Sequence, residues 1–167
     1  MSDHEHAEFI PIGFSVLITS DSRSPKTDLT GKIITKLLTD NGHKCISFGI
    51  VPNKKNLIRL AIKKLTLKKN IRLIVTSGGT GCGRKDVTIE TVRPFISKEL
   101  DGFGELFRVL SYKEIGSRAL MSRALMGVAG GDKIIVCLPG SPNAAKLALR
   151  KLILPELNHL VWELSRA

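Results

Sequence analysis

The chain has 167 residues, enough to bury a core without metals or disulfides, and its 43% hydrophobic and 25% charged residues exclude global disorder. No apolar run approaches the roughly 20 residues of a membrane span, no signal sequence is read at the start, and three widely spaced cysteines give neither a disulfide framework nor a Cys-x-x-Cys zinc site, so a cytoplasmic protein is expected. The net charge of +11 favours anionic ligands or partners. In chain order, residues 1–13 are polar and aperiodic and read as a loose tail in which His4 and His6 are solvated; residues 14–167 read as one domain. Ser15–Thr19 is a short apolar run that suits a buried strand, stopped by the polar breaker Ser20–Pro25. Thr30–Asn41 carries Ile33, Ile34, Leu37 and Leu38 at helical spacing and stops at Asn41-Gly42. Cys45–Val51 is a second strand, broken by Pro52.

Between Lys54 and Arg72 lie eight basic residues and no acidic one. Leu57, Ile58, Ala61, Ile62 and Leu65 recur there at helical spacing, with the cations largely on the other face. A solvated helix face is preferred over a nucleic-acid surface, because no aromatic residues are interleaved for base stacking. Ile71–Val75 is a third strand, followed by the glycine-rich segment Thr76–Asp86. Helical pieces are expected over Val87–Lys98, Phe103–Leu110 and Arg118–Leu125, then a strand over Lys133–Cys137 stopped by Leu138–Pro142. The final stretch, Asn143–Leu164, is apolar on more than one helix face, which places it deep in the core or at a subunit contact; Pro155 begins a new helix or kinks the old one. Alternating strands and helices predict an α/β domain around a mostly parallel sheet.

In such sheets ligands bind beyond the carboxyl ends of the strands. Three strand-end loops of small and polar residues qualify: Thr19–Gly31, Thr76–Asp86 and Pro139–Pro142. The second has four glycines in six residues, which lets backbone N–H groups approach an anion, and Ser141 and Pro142 suit the cap and first turn of the next helix. The loop is neither a Walker A motif nor Gly-x-Gly-x-x-Gly. A glycine turn alone is often structural and Asp86 alone is often a helix cap, but the glycines with Arg84, Lys85 and Asp86 supply dipoles and cations for phosphate and a carboxylate for Mg²⁺. Cys82 is exposed in this loop, yet no histidine is placed to activate it, and His43 and His159 do not suggest serine–histidine catalysis.

Thr76-Ser-Gly-Gly-Thr-Gly81 with Asp86-Val-Thr88, then Gly102-Phe-Gly-Glu105, Ser122-Arg-Ala124 and Leu138-Pro-Gly-Ser-Pro142, closely resembles the MoaB/Mog family of molybdenum-cofactor biosynthesis over about Ser15–Leu164. The resemblance implies a three-layer α/β/α sandwich assembled as a homotrimer or a dimer of trimers. The implied activity is Mg²⁺-dependent adenylylation of molybdopterin by ATP, with release of pyrophosphate. It implies that Asp86 is the catalytic, metal-associated carboxylate, and that Ser77, Gly78, Gly79, Thr80 and Gly81 cradle a phosphate of the pterin or nucleotide. Gly140, Ser141 and Pro142 would line the nucleotide end, Glu105 the pterin side, and Asp28, Thr30 and Gly31 the pocket rim. Two departures stand out: Asn53 where the family usually has a second functional aspartate, and Asp101 where it has proline before Gly-Phe-Gly-Glu. Asn53 supports an alternative, a weakly active or inactive paralogue that binds molybdopterin or pathway enzymes. The related molybdate-insertion enzymes carry extra domains that 167 residues cannot hold. No specific nucleic-acid or membrane partner is expected.

Overall fold

The structure, a computed structural model, describes residues 9–166. The four strands read as apolar runs form β1 (Gly13–Thr19), β2 (Lys44–Val51), β3 (Leu73–Ser77) and β6 (Lys133–Leu138). They lie side by side in the order β2-β1-β3-β6, all parallel. Two further strands complete the sheet beyond β6: β5 (Leu125–Ala129), antiparallel to it, and the two-residue β4 (Lys98–Glu99) at the edge.

Side chains alternate across the sheet, and the alternation builds two cores. Phe14, Val16 and Ile18 of β1, Leu73 and Val75 of β3, and Ile134, Val136 and Leu138 of β6 face one side, against α1 (Leu29–Asp40), α4 (Asp101–Ile115), α5 (Pro142–Ala148) and α6 (Leu154–Ser165). Leu17, Ile74, Ile135 and Cys137 face the other, against α2 (Lys55–Thr66) and α3 (Thr88–Val92). The result is a three-layer α/β/α sandwich. Helix α2 buries Ile58, Ile62 and Leu65 and turns its cations outward, as its periodicity predicts.

Several sequence expectations change. Of the tail expected over 1–13, residues 1–8 lie outside the described residues; Ile10 N–H donates to Asn158 Oδ1 at 2.8 Å and Ile12 is buried, so residues 10–13 are held to the domain. The helix expected over 87–98 ends at Val92, and a single 3₁₀ turn over Arg93–Phe95, carrying Pro94, leads into β4. The helix expected over 118–125 is a 3₁₀ segment, Gly116–Met121, and Leu125 already belongs to β5. The apolar C-terminal stretch is core: Leu149, Ile153, Leu157 and Val161 are buried on the sheet. Ahead of Pro155, which lacks an N–H and crowds the carbonyl four residues earlier, the chain widens into a π turn over Leu149–Ile153 before α6 begins.

Register brings the strand ends level. Ile18 pairs with Ser77 and Ser77 with Leu138, so the loops after β1, β3 and β6 leave the sheet next to one another. The chain passes from β1 outward to β2 and from β3 the other way, which opens a crevice between these neighbours.

Candidate functional site

The glycine loop is shaped by where its carbonyl groups go. Gly78 N–H donates to Leu138 O at 3.0 Å, stitching the loop to the end of β6. The Gly78 carbonyl accepts from Thr88 Oγ1 at 2.9 Å and from Thr19 Oγ1, the two hydroxyls being 3.0 Å apart. The Gly79 carbonyl accepts Thr88 N–H at 2.9 Å, and the Gly81 carbonyl accepts from Arg123 at 3.0 Å. Three carbonyls are thus tied down to the protein. A planar trans peptide sets its N–H opposite its carbonyl, so the N–H groups of Gly79, Thr80 and Cys82 face away from these anchors. Main-chain N–H groups left free in such a loop are the kind of donor that an anion can use. Glycine is required here by conformation: φ is +101° at Gly78 and +60° at Gly79.

The neighbouring loops lock against it. Arg23 reaches across from the loop after β1 to donate to the Gly140 carbonyl at 2.7 Å and lies 3.4 Å from Asp28 Oδ1. Thr30 Oγ1 donates to the same carbonyl at 2.8 Å, which turns the Ser141 N–H the opposite way. Asp28 is 0% exposed and caps α1 by accepting Gly31 N–H at 3.1 Å, while a side chain on Gly31 would collide with its carboxylate. Ser77 Oγ donates to Pro139 O at 3.0 Å. Ser141 caps α5 through Ala144 N–H at 3.2 Å, with Pro142 in the first turn. Asp28, Thr30 and Ser77 therefore place their side chains on the loops themselves, while the glycine loop offers main-chain groups.

Asp86 closes the glycine loop. Its Oδ2 accepts Gly83 N–H at 2.9 Å and its own N–H returns to Gly83 O at 2.9 Å. A Cβ on Gly81 would sit 2.7 Å from the same oxygen, so the carboxylate lies directly on the loop. Arg84 and Lys85 are exposed beside it. Asn53 is brought to the loop too: its Oδ1 lies 2.3 Å from where a Gly79 Cβ would stand, and its N–H donates to Asp21 Oδ1 at 2.9 Å. Among the described residues the Asn53 Oδ1 is buried without a hydrogen-bond partner.

Glu105 lies apart. It sits on α4 in a groove of about 310 Å³ lined also by Arg93, Asp101, Arg108, Ala124 and Met126. The link between groove and loop is Arg123, next to Ala124, which also pairs with Glu90 of α3. Burial raises the Glu90 carboxyl, but the Arg123 hydrogen bond and the charges of Arg123 and Arg93 outweigh it and hold the group below its ordinary value. His43 is at the amino end of the sheet, where Ile12 N–H meets its ring, remote from Cys82. Cys137 is buried and its thiol is pushed up to about 12, which makes it inert.

Sequence reading missed Thr19, Asp21, Arg23 and the role of Arg123. A polar strand-end loop containing an arginine is a usable signal for Arg23; for Arg123 the signal is the Ser122-Arg-Ala124 motif, whose sequence assigns the arginine no partner.

The fold is an α/β/α domain whose glycine loop sits where the strand order reverses. The family described as "Probable molybdopterin binding domain" matches residues 15–159. Molybdenum cofactor biosynthesis protein B of Bacillus cereus is 43% identical over 99% of both chains. A crystal structure of a Molybdenum cofactor biosynthesis protein B, 43% identical, superposes with a TM-score of 0.91 over 95% of this chain and 98% of that one. The tungsten cofactor synthesizing protein MoaB of Pyrococcus furiosus, 33% identical, gives 0.83 over 92% and 96%. The chain belongs to the MoaB/Mog family of molybdopterin-binding domains.

Proposed function

We propose that the protein acts in molybdenum-cofactor biosynthesis as a molybdopterin adenylyltransferase, joining molybdopterin to the AMP moiety of ATP and releasing pyrophosphate. The observation that carries this reading is the set of tied-down carbonyls at Gly78, Gly79 and Gly81, which leaves the N–H groups of Gly79, Thr80 and Cys82 turned away from those anchors, in the loop on which the Asp86 carboxylate rests. The terminal phosphate oxygen of molybdopterin forms a bond to the α-phosphorus of ATP. The bond from that phosphorus to the bridging oxygen breaks, and its electron pair leaves with pyrophosphate. Because the attacking phosphate is already ionised at neutral pH, no general base is required. The outward N–H groups of the glycine loop and the N-terminal end of α5 hold phosphate oxygens and stabilise charge as it develops.

The donor chemistry fits magnesium. Among the described residues no group of three or more His, Cys, Asp or Glu could enclose a metal by itself, and Mg²⁺ commonly takes one or two carboxylates with substrate phosphates and water. Asp86 would hold the ion, with the orphaned Asn53 Oδ1 as a neutral oxygen donor nearby. Bound there, Mg²⁺ would neutralise phosphate charge. The test is incubation with Mg²⁺, α-labelled ATP and molybdopterin: pyrophosphate and an adenylylated pterin are expected, and their absence at every Mg²⁺ concentration would overturn the reading.

Asn53 favours one alternative, a paralogue that binds the pterin without transfer. It yields a separate expectation. Asn53→Asp puts a carboxylate oxygen where a buried oxygen has no donor, next to Asp21. The metal-free variant should lose about 1–3 kcal/mol of stability, recover it on adding Mg²⁺, and turn over faster than wild type at limiting Mg²⁺. Thermal melts with and without Mg²⁺, alongside pyrophosphate release, check both halves. Wild type inactive throughout with an active Asn53→Asp variant would establish the binding paralogue.

Assembly as a homotrimer or dimer of trimers is proposed on a different surface from the C-terminal stretch. Leu106, Val109, Tyr112 and Ile115 form an exposed stripe along α4, continued by Leu120 and Met121. Helix α4 already buries Phe103 and Phe107 on the sheet, so it is apolar on two faces, and a second copy of the chain covers the outer one. Light scattering at micromolar concentration should give at least three times the single-chain mass. A single-chain mass would refute it.

A further inference from the structure

The Ser122-Arg-Ala124 motif supplies no group to the transfer step itself, yet its arginine touches the loop. Arg123 leaves the chain just before β5, and its guanidinium donates to the Gly81 carbonyl at 3.0 Å while pairing with Glu90. The turn from Gly83 to Asp86 is closed on itself by two hydrogen bonds, and Cys82, Gly83, Arg84 and Lys85 are exposed. The Gly81 carbonyl ties this turn to Arg123, just ahead of β5, in addition to the Thr88–Gly79 bond at its other end. The same carbonyl decides where the Cys82 N–H points, because the two belong to one planar peptide. Gly81 also backs directly onto the Asp86 carboxylate.

We propose that Arg123 is a positioning residue of the phosphate cradle, fixing the Gly81–Cys82 peptide and the Asp86 carboxylate that rests on it by bridging the Gly81 carbonyl to Glu90. Nothing here requires Arg123 to touch substrate. A planar guanidinium serves two acceptors at once, whereas a lysine ammonium would keep the Glu90 pair without the same fork. Arg123 and Glu90 are both partly exposed, so removing the arginine strands no buried charge and the fold survives. The next residue, Ala124, lines the groove that holds Glu105.

The naming of the ligand rests on the adenylyl-transfer reading; the positioning does not. Hydrogen exchange is measured on the hydrogen-bonded Gly83 and Asp86 amides in wild type, Arg123→Gln and Arg123→Lys, with Lys36→Gln on α1 as the charge-matched control. ATP binding is measured on the same proteins across a series of Mg²⁺ concentrations. Arg123→Gln should speed exchange of the two amides about tenfold and weaken ATP about tenfold, the loss expected from one charge-assisted hydrogen bond. Arg123→Lys should fall between, and Lys36→Gln should match wild type. Exchange within twofold of wild type in Arg123→Gln overturns the proposal, as does faster exchange with unchanged ATP binding. Wild type that binds no ATP with Mg²⁺ would overturn the adenylyl-transfer reading instead, and the exchange measurement then decides the role of Arg123 alone.

Discussion

Asp86→Asn is expected to lower turnover by about 10²-fold or more while the protein stays folded. The amide oxygen can still accept Gly83 N–H, so the turn closes as before, with a neutral acceptor in place of a charged one. That change is worth about 1 kcal/mol and about 2–4 °C in unfolding temperature for a chain of this size. The loss of charge matters more. A unit charge about 4 Å from a cation is worth on the order of 4 kcal/mol at an effective dielectric of 20, which corresponds to about 10³-fold in rate. Asp86 is partly exposed, and solvent screening brings the figure down to about 10²-fold. Pyrophosphate release and a thermal melt on the same preparation check the two halves. Near-wild-type turnover would remove Asp86 from the metal site.

The second large effect comes from a position with no side chain. Gly78 has φ of +101°, and a Cβ there would lie 2.3 Å from the Thr19 carbonyl oxygen. That atom is backbone of β1 and cannot swing aside. Conformational strain of about 1–3 kcal/mol adds to the displacement, so Gly78→Ala should cost about 3 kcal/mol or more and lower the unfolding temperature by about 6–12 °C. A shift of about 1 Å in the cradle should cut turnover about 10²-fold in the fraction that remains folded. Gly102→Ala is the contrast, since nothing lies within 4 Å of its added methyl group and helix propensity favours it. Calorimetry on the pair should separate them clearly; a Gly78→Ala protein melting within 2 °C of wild type would show that the loop adapts.

These two positions also show what the sequence makes legible. β1, β3 and β6 were readable because strands buried on both faces are continuous apolar runs, whereas the edge strand β2, half-buried, was readable from its β-branched and aromatic residues and the stop at Pro52. β5 was hidden because Arg118–Leu125 mimics helical spacing and Gly127 interrupts its apolar run, while two charged residues at an edge give β4 almost no signal. The glycine loop announced itself through composition. Arg23 did not, because its partner is a carbonyl 117 residues away, and main-chain acceptors leave no trace in residue type. Asp28 and Thr30 were readable as important, but their side chains proved to hold loops together. The C-terminal stretch displayed excess apolar surface without displaying its cause, which is that one face of the sheet takes α5, the π turn and α6 together.

The inward-turned carbonyls of the glycine loop have a consequence for how recognition is encoded. The donors they free are peptide amides, which hold their protons across the whole working range of pH and are present at every residue except proline. In the proposed reading the donors of such a cradle do not themselves titrate, although charged neighbours such as Arg84, Lys85 and Asp86 still set the field around it. Such a cradle would not tell base from pterin, so discrimination between ligands would fall to the side chains at its margins. Truncating Thr80 or Cys82 leaves the main-chain N–H in place, so in the proposed reading a scan by side-chain deletion would pass over these residues and report instead on Thr19 and Thr88, which only hold the carbonyls down.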